Sequence, residues 1–261
     1  MPIARSGDAD ISYEITGQGD PLLLIMGFLA DSRMWILQLP ALEPHFRCIT
    51  FDNRGVGNSS RPPGPYTMEQ MAADAIAVLD DAGIEKAHVL GVSMGGAIAQ
   101  HVALKAPERI RSLALAVTWC APNTWMEHLS ATGRALADLG QETVARSTLL
   151  WLFTPAFVIN QPEMVAVIEQ MIVDFQPPVE TYANQLAAVL EHDTRDQLAG
   201  VTAPTLVVSA RRDIMVPPEL GEIVAKAIPK ARFQLLEGAH GVNAENASEF
   251  NRVLLEFFQA N

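Results

Sequence analysis

The sequence predicts an α/β fold, a mostly parallel sheet with helices on both faces and an inserted helical cap. Three observations carry this. Short apolar runs alternate with segments of helical period through about residue 120. Strand signals stop between about 121 and 203, where helical periods dominate. The alternation then resumes with Thr205–Ala210. The organisation is therefore a core of residues 1–120 and 204–261 with a cap of residues 121–203.

The elements follow in order. The N-terminus, Met1 to Ser6, runs straight into strand-like sequence with no apolar stretch of a signal peptide. Pro21–Met26 reads as a buried strand that turns away at Gly27-Phe28. Thr67-Met68-Glu69-Gln70 forms a capping box, and Met71, Ala75, Leu79 and Ala82 continue at helical spacing to Gly83. His88-Val89-Leu90 is an apolar run that enters Gly91-Val92-Ser93-Met94-Gly95, and small residues from Gly96 onward open a helix. Ile110–Val117 is a further strand. In the insertion, helices are expected over Gly133–Leu152, Pro162–Phe175 and Val179–His192. Thr205–Ala210, after Pro204, has the β-branched character of a parallel strand buried on both faces. A short helix from Glu219 to Ile228 ends at Pro229, and Arg232–Leu236 is the last strand.

Composition narrows the function classes. The chain has 261 residues, ample for a large core, and a formal net charge of −12. That balance argues against nucleic acid and anionic membrane surfaces as partners. No apolar run reaches the roughly 18 residues of a membrane helix. Cys48 and Cys120 fall on strand-like segments and are expected as buried free thiols, which fits a reducing cytoplasm. No Cys/His cluster has zinc spacing, and no glycine pattern suits a dinucleotide or a P-loop, so neither metal nor cofactor is expected. The oligomeric state is not legible.

The chemistry is concentrated at Gly91-Val92-Ser93-Met94-Gly95. This is G-x-S-x-G between a strand and a helix, a sharp turn that lifts a serine hydroxyl clear of the sheet. The helix start leaves free N–H groups beside it, suited to a developing oxyanion. Nucleophilic catalysis also needs a base and an orienting acid. Asp213 lies three residues past the strand ending at Ala210, and His240 lies in the Gly238-Ala239-His240-Gly241 loop after the last strand. All three candidates thus fall beyond the C-terminal ends of strands, the edge where open α/β sheets build their sites.

With Phe51-Asp52-Asn53-Arg54-Gly55-Val56-Gly57-Asn58-Ser59 and Gly91-Val92-Ser93-Met94-Gly95-Gly96, the chain resembles the α/β-hydrolase family over nearly its whole length. Within it, the chain looks closest to small capped esterases and lactonases of the 3-oxoadipate enol-lactonase and aclacinomycin methylesterase types. The resemblance implies an eight-stranded sheet, Ser93 as nucleophile, Asp213 as acid and His240 as base. It also implies an oxyanion hole built from the backbone N–H groups of Phe28 and Met94. The family usually has His-Gly-x at the first of these, and Met26 stands here in place of that histidine. The implied activity is two-step cleavage of a carboxylic ester through an acyl-enzyme, without a cofactor. A lactonase with the same residues, a perhydrolase or C–C hydrolase, and a slow-turnover ligand receptor remain alternatives on one fold.

Trp125, Trp151, Phe153, Phe157 and Met171 are the candidate pocket residues of the insertion. His45, His88, His101, His128, His192 and Asp193 are read as structural, since no matching nucleophile accompanies them. Asp52-Asn53-Arg54-Gly55 is read as a hydrogen-bonded turn supporting the site. Between Ala121 and Gly200 three arginines, Arg134, Arg146 and Arg195, face ten carboxylates. Together with the aromatic and methionine content this favours neutral, moderately apolar substrates over anionic ones. Arg54, Arg211 and Arg212 are the cations outside the insertion that could reverse that preference.

Overall fold

The computed structural model describes residues 1–137, 139–175 and 177–261. Asp138, one of the insertion's carboxylates, lies outside the described residues. The strands are β1 (Ile3–Ser6), β2 (Ala9–Gly17), β3 (Asp20–Ile25), β4 (Phe46–Phe51), β5 (Ala87–Val92), β6 (Ile110–Ala116), β7 (Thr205–Ala210) and β8 (Arg232–Leu236). The helices are α1 (Leu39–Leu42), α2 (Met68–Asp81), α3 (Met94–Lys105), α4 (Thr124–Ala137), α5 (Gln141–Leu152), α6 (Pro155–Asn160), α7 (Pro162–Phe175), α8 (Val179–Glu191), α9 (Pro218–Ala227), α10 (Val242–Glu245) and α11 (Ala247–Gln259).

The strands form one eight-stranded sheet in the order β1-β2-β4-β3-β5-β6-β7-β8. β2 pairs antiparallel with β1 and β4, and every later pairing is parallel. Central β5 is buried at all six positions, as a strand covered on both faces must be, whereas edge strand β8 is half-exposed. Alternation along β3 divides the core. Leu23 and Ile25 join Met71, Val78 and Val102 on the face covered by α2, α3 and α9. Leu22 and Leu24 join Phe250, Leu254 and Phe258 of α11 on the other face. Helix α11 is built for that face, with Phe250, Val253, Leu254, Phe257 and Phe258 at i, i+3, i+4, i+7 and i+8. Helix α2 carries the expected capping box: Thr67 accepts from the Gln70 N–H while the Gln70 side chain accepts from the Thr67 N–H. Cys48 and Cys120 are buried free thiols, and burial pushes Cys48 up to about 12.

The segment between β6 and β7 carries α4 to α8. The single helix expected over Gly133–Leu152 is instead two helices. The chain turns at Gly140, whose φ of +95° lies in the region that favours glycine, and α4 begins earlier, at Thr124. Leu149, Phe153, Val165 and Ile168 form a small core of their own. Met126 of α4 and Ala188 and Val189 of α8 join the large core instead.

Candidate active site

Ser93 caps the N-terminus of α3 with φ 57° and ψ −120°, a strained conformation for a residue with a Cβ. The turn closes only because its neighbours are glycines. A Cβ on Gly91 would stand 2.2 Å from the Gly95 carbonyl oxygen, and one on Gly95 would stand 2.1 Å from that of Ile25. The strained residue is held on both sides. Its N–H donates to the Ala116 carbonyl at 2.8 Å, and its carbonyl accepts from Thr118 Oγ1 at 2.9 Å. Thr118 follows Val117, another residue at positive φ (45°).

Ser93, Asp213 and His240 come together. His240 Nε2 lies 2.9 Å from Ser93 Oγ, and His240 Nδ1 lies 2.7 Å from Asp213 Oδ2. The other carboxylate oxygen, Oδ1, accepts from the N–H groups of Met215 (2.9 Å) and Val216 (2.8 Å). The Asp213 side chain is fully buried, so its charge is met by two backbone donors and one imidazole N–H. With Nδ1 donating to Asp213, Nε2 is left to accept from the serine hydroxyl. Such a chain can draw a proton from Ser93 and hold an imidazolium.

The loop after β3 arches over the serine. A Cβ on Gly27 would approach Ser93 Cβ to 3.2 Å and Oγ to 3.7 Å. Among the described residues no acceptor takes the N–H of Phe28 or of Met94, the first residue of α3. The Asp52–Gly55 turn braces this loop: Asn53 Nδ2 donates to the Met26 carbonyl at 2.9 Å. Arg54 is occupied, paired through Nε and Nη2 with buried Asp74 at 2.7 and 2.8 Å.

A cavity of about 680 Å³ opens above Ser93 and His240, between the sheet edge and the insertion. Of the sequence-predicted pocket residues, Trp151, Phe153 and Met171 line it. Trp125 and Phe157 do not. Trp125 is half-exposed, with its indole N–H on the Ile214 carbonyl at 2.7 Å. Phe157 stacks on Phe153 at 4.9 Å, within the insertion's small core. Size and position along the chain mark both as candidates but cannot tell the inner side of a helix from the outer. Residues that sequence reasoning missed include Trp119, Tyr182 and five methionines, Met26, Met34, Met126, Met164 and Met215. No Lys or Arg appears among the described lining residues, where Glu163 is the acidic group. Arg146, Arg195 and Arg211 are tied to Glu169, Asp193 and Glu237.

Of the remaining histidines, His45 and His128 are exposed, and His88, His101 and His192 are buried within the packing. His192 Nδ1 meets His101 Nε2 at 3.1 Å, and its Nε2 lies 3.3 Å from the Trp119 carbonyl. Burial pushes the His192 pKa down to about 4, with the neighbouring His101 adding to the shift. His88, wedged between Phe46 and Phe258 beside the Ser112 hydroxyl, is likewise pushed down to about 4, chiefly by burial.

Comparison with known proteins agrees with this architecture. The sequence model of the alpha/beta hydrolase fold matches residues 20–247. The chain is 38% identical to the "Putative carbamate hydrolase RutD" of Azorhizobium caulinodans, over 98% of each protein. It superposes on an enol-lactonase from Burkholderia xenovorans LB400 with a TM-score of 0.90 and 30% identity, covering 99% of this chain and all of that one. A thermophilic esterase from Thermogutta terrifontis superposes with a TM-score of 0.89 and 29% identity, over 99% and 98% of the two chains. A hydrogen-bonded Ser–His–Asp chain at the carboxyl edge of this sheet, and likeness across the full length of these proteins, make this chain a member of the alpha/beta hydrolase fold family.

Proposed function

We propose that the protein is a serine hydrolase that cleaves carboxylic esters of neutral, moderately apolar small molecules through an acyl-enzyme. The observation that carries this reading is the linked Ser93, His240 and Asp213 at the base of an apolar cavity whose described lining has no Lys or Arg. Ser93 Oγ attacks the ester carbonyl carbon as His240 Nε2 takes its proton. Asp213 fixes the ring tautomer and stabilises the imidazolium. The tetrahedral oxyanion sits against the N–H groups of Phe28 and Met94, each free to donate. Collapse expels the alcohol, which leaves with the proton from His240. The same histidine then deprotonates a water, which attacks the acyl carbon and releases the acid.

A lactonase is the second reading, favoured by the enol-lactonase among the structural relatives. A lactone is a cyclic ester, and the same groups would open it. The cavity speaks against a lactone that bears a free carboxylate, since a buried anion calls for a cation and the described lining offers Glu163 but no Lys or Arg. The test is kcat/KM for a neutral ester and for its analogue with a terminal carboxylate, with lactones assayed in parallel. The neutral ester is expected to be turned over faster. Preference for the anionic analogue overturns the substrate class. Activity retained in Ser93→Ala, expected to fall by on the order of 10⁴–10⁶-fold, overturns the mechanism.

A further inference from the structure

Helix α8 of the insertion touches the oxyanion loop through a polar side chain that the mechanism does not use. Gln185 is fully buried, on a face shared with Thr181, Ala188 and Val189. Its Oε1 accepts from the Leu29 N–H at 2.9 Å, and its Nε2 donates to the Arg54 carbonyl at 3.1 Å. Leu29 directly follows Phe28 and has φ 57°, in the left-handed region that a leucine keeps only where its surroundings impose it. The peptide that carries the Phe28 carbonyl and the Leu29 N–H is thus pinned by Gln185 at a strained turn. The peptide before it, whose carbonyl belongs to Gly27, carries the Phe28 N–H.

Other contacts of α8 reach the same two loops and the neighbouring segment at Tyr66. The Phe28 ring meets the Tyr182 ring edge-on, with centroids 5.1 Å apart. A Cβ on Gly55 would stand 2.7 Å from Thr181 Cγ2, so that helix and turn are in close contact. The Asn184 carbonyl accepts from the Tyr66 N–H at 3.3 Å. Asn53 holds the oxyanion loop from the sheet side, through the Met26 carbonyl, and Gln185 holds it from the insertion side, through Leu29.

We propose that Gln185 is a positioning residue, which sets the aim of the Phe28 N–H at the oxyanion and so makes the docking of α8 a condition for fast acyl transfer. This rests on the serine-hydrolase reading. A donor placed by a strained loop loses its value when the loop relaxes, because a displacement of about 1 Å can cost on the order of 10²-fold in rate. The substrate meets the same cavity walls either way, so the loss falls on the transition state.

The test compares Gln185→Met, which keeps length and apolar volume but removes both hydrogen bonds, with Gln185→Glu, which keeps an acceptor for Leu29 and, with its carboxyl neutral in the buried site, a donor for the Arg54 carbonyl. Gln185→Met is expected to lower kcat by about 10–100-fold with KM within about threefold of wild type. It is expected to weaken inhibition by an alkylboronic acid, which forms a tetrahedral adduct on the serine, by a similar factor. Gln185→Glu is expected to recover much of both losses. Wild-type kcat and boronate affinity in a folded Gln185→Met overturn the proposal, as does an equal loss in Gln185→Glu. Should Gln185→Met not fold, Gln185→Asn carries the decision, because it keeps the amide but draws the acceptor back by one methylene. Its kcat and boronate affinity should both fall, and unchanged values overturn the proposal. Labelling with a fluorophosphonate separates the two readings. Wild type that is not labelled at Ser93 refutes the underlying serine-hydrolase mechanism, whatever the Gln185 variants do.

Discussion

Asp213→Asn should disable the enzyme by rotating one proton rather than by removing a group. Asp213 Oδ1 accepts from the N–H groups of Met215 and Val216, at 2.9 and 2.8 Å, and Oδ2 faces His240 Nδ1 at 2.7 Å. In the asparagine the amide oxygen must stay where Oδ1 is. Turning the amide over would aim its NH₂ at two backbone donors and strand them in a buried site, at roughly 1–3 kcal/mol each. The NH₂ therefore faces His240 Nδ1 and donates to it, and the ring proton moves to Nε2. That nitrogen lies 2.9 Å from Ser93 Oγ and now donates where it should accept. The serine has lost its base, although every side chain remains in place. A wrong histidine tautomer in a serine triad costs about 10⁴-fold in kcat, which corresponds to about 5 kcal/mol in the barrier. The assay is steady-state hydrolysis of a neutral p-nitrophenyl ester by wild type and variant near neutral pH, with Tm measured beside it. Tm should change little, since each hydrogen bond has a counterpart. A kcat within about tenfold of wild type at unchanged Tm would refute this reasoning and would mean that Asp213 does not set the tautomer.

Other outcomes follow from the same structure. Stability should fall as pH drops from about 6.5 towards 4, because His88 and His192 have folded pKa values near 4 against an unfolded value near 6.5. The unfolded chain binds more protons in that window, so acidification favours it. Between pH 7 and 5 each histidine should contribute about 2 kcal/mol of loss, and urea unfolding that gives equal stability at the two pH values would contradict both shifts. Gly95→Ala should disrupt the serine turn, since its Cβ would lie 2.1 Å from the Ile25 carbonyl oxygen; a variant with wild-type Tm and kcat would show that the contact relaxes without cost. Phe28→Ala removes a ring packed on Tyr182 but leaves the backbone donor, so relative kcat/KM across acyl lengths should change more than kcat on the best substrate. A uniform loss of about 10²–10³-fold across substrates, the cost of losing an oxyanion donor, would mean instead that the loop itself had moved.

Local chemistry made much of this protein legible. The β-branched run at Thr205–Ala210, the capping box at Thr67 and Gln70 and the glycines around Ser93 each mark a backbone state that few other residues support. Order along the chain was enough to bring Ser93, Asp213 and His240 to one sheet edge, since parallel strands all end there. Two matters lay beyond local signals. The break between α4 and α5 depends on Gly140 taking a positive φ, which helical periodicity across 133–152 concealed. The orientation of the insertion helices decided that Trp151 faces the cavity while Trp125 faces the Ile214 carbonyl.

Gln185 shows where that boundary falls. A glutamine on the apolar face of an amphipathic helix could have been noticed as a buried polar group in need of partners. Those partners, the Leu29 N–H and the Arg54 carbonyl, lie 156 and 131 residues away in the chain. The sequence by itself determined the strand and helix periods, the strained serine turn and the kinds of side chain at the strand ends, because those follow from sterics and hydrogen bonding within a few residues. Only the tertiary structure decided which surfaces of the insertion meet the core, which cations are already paired and which backbone donors stay free, because each depends on groups that folding alone brings within reach.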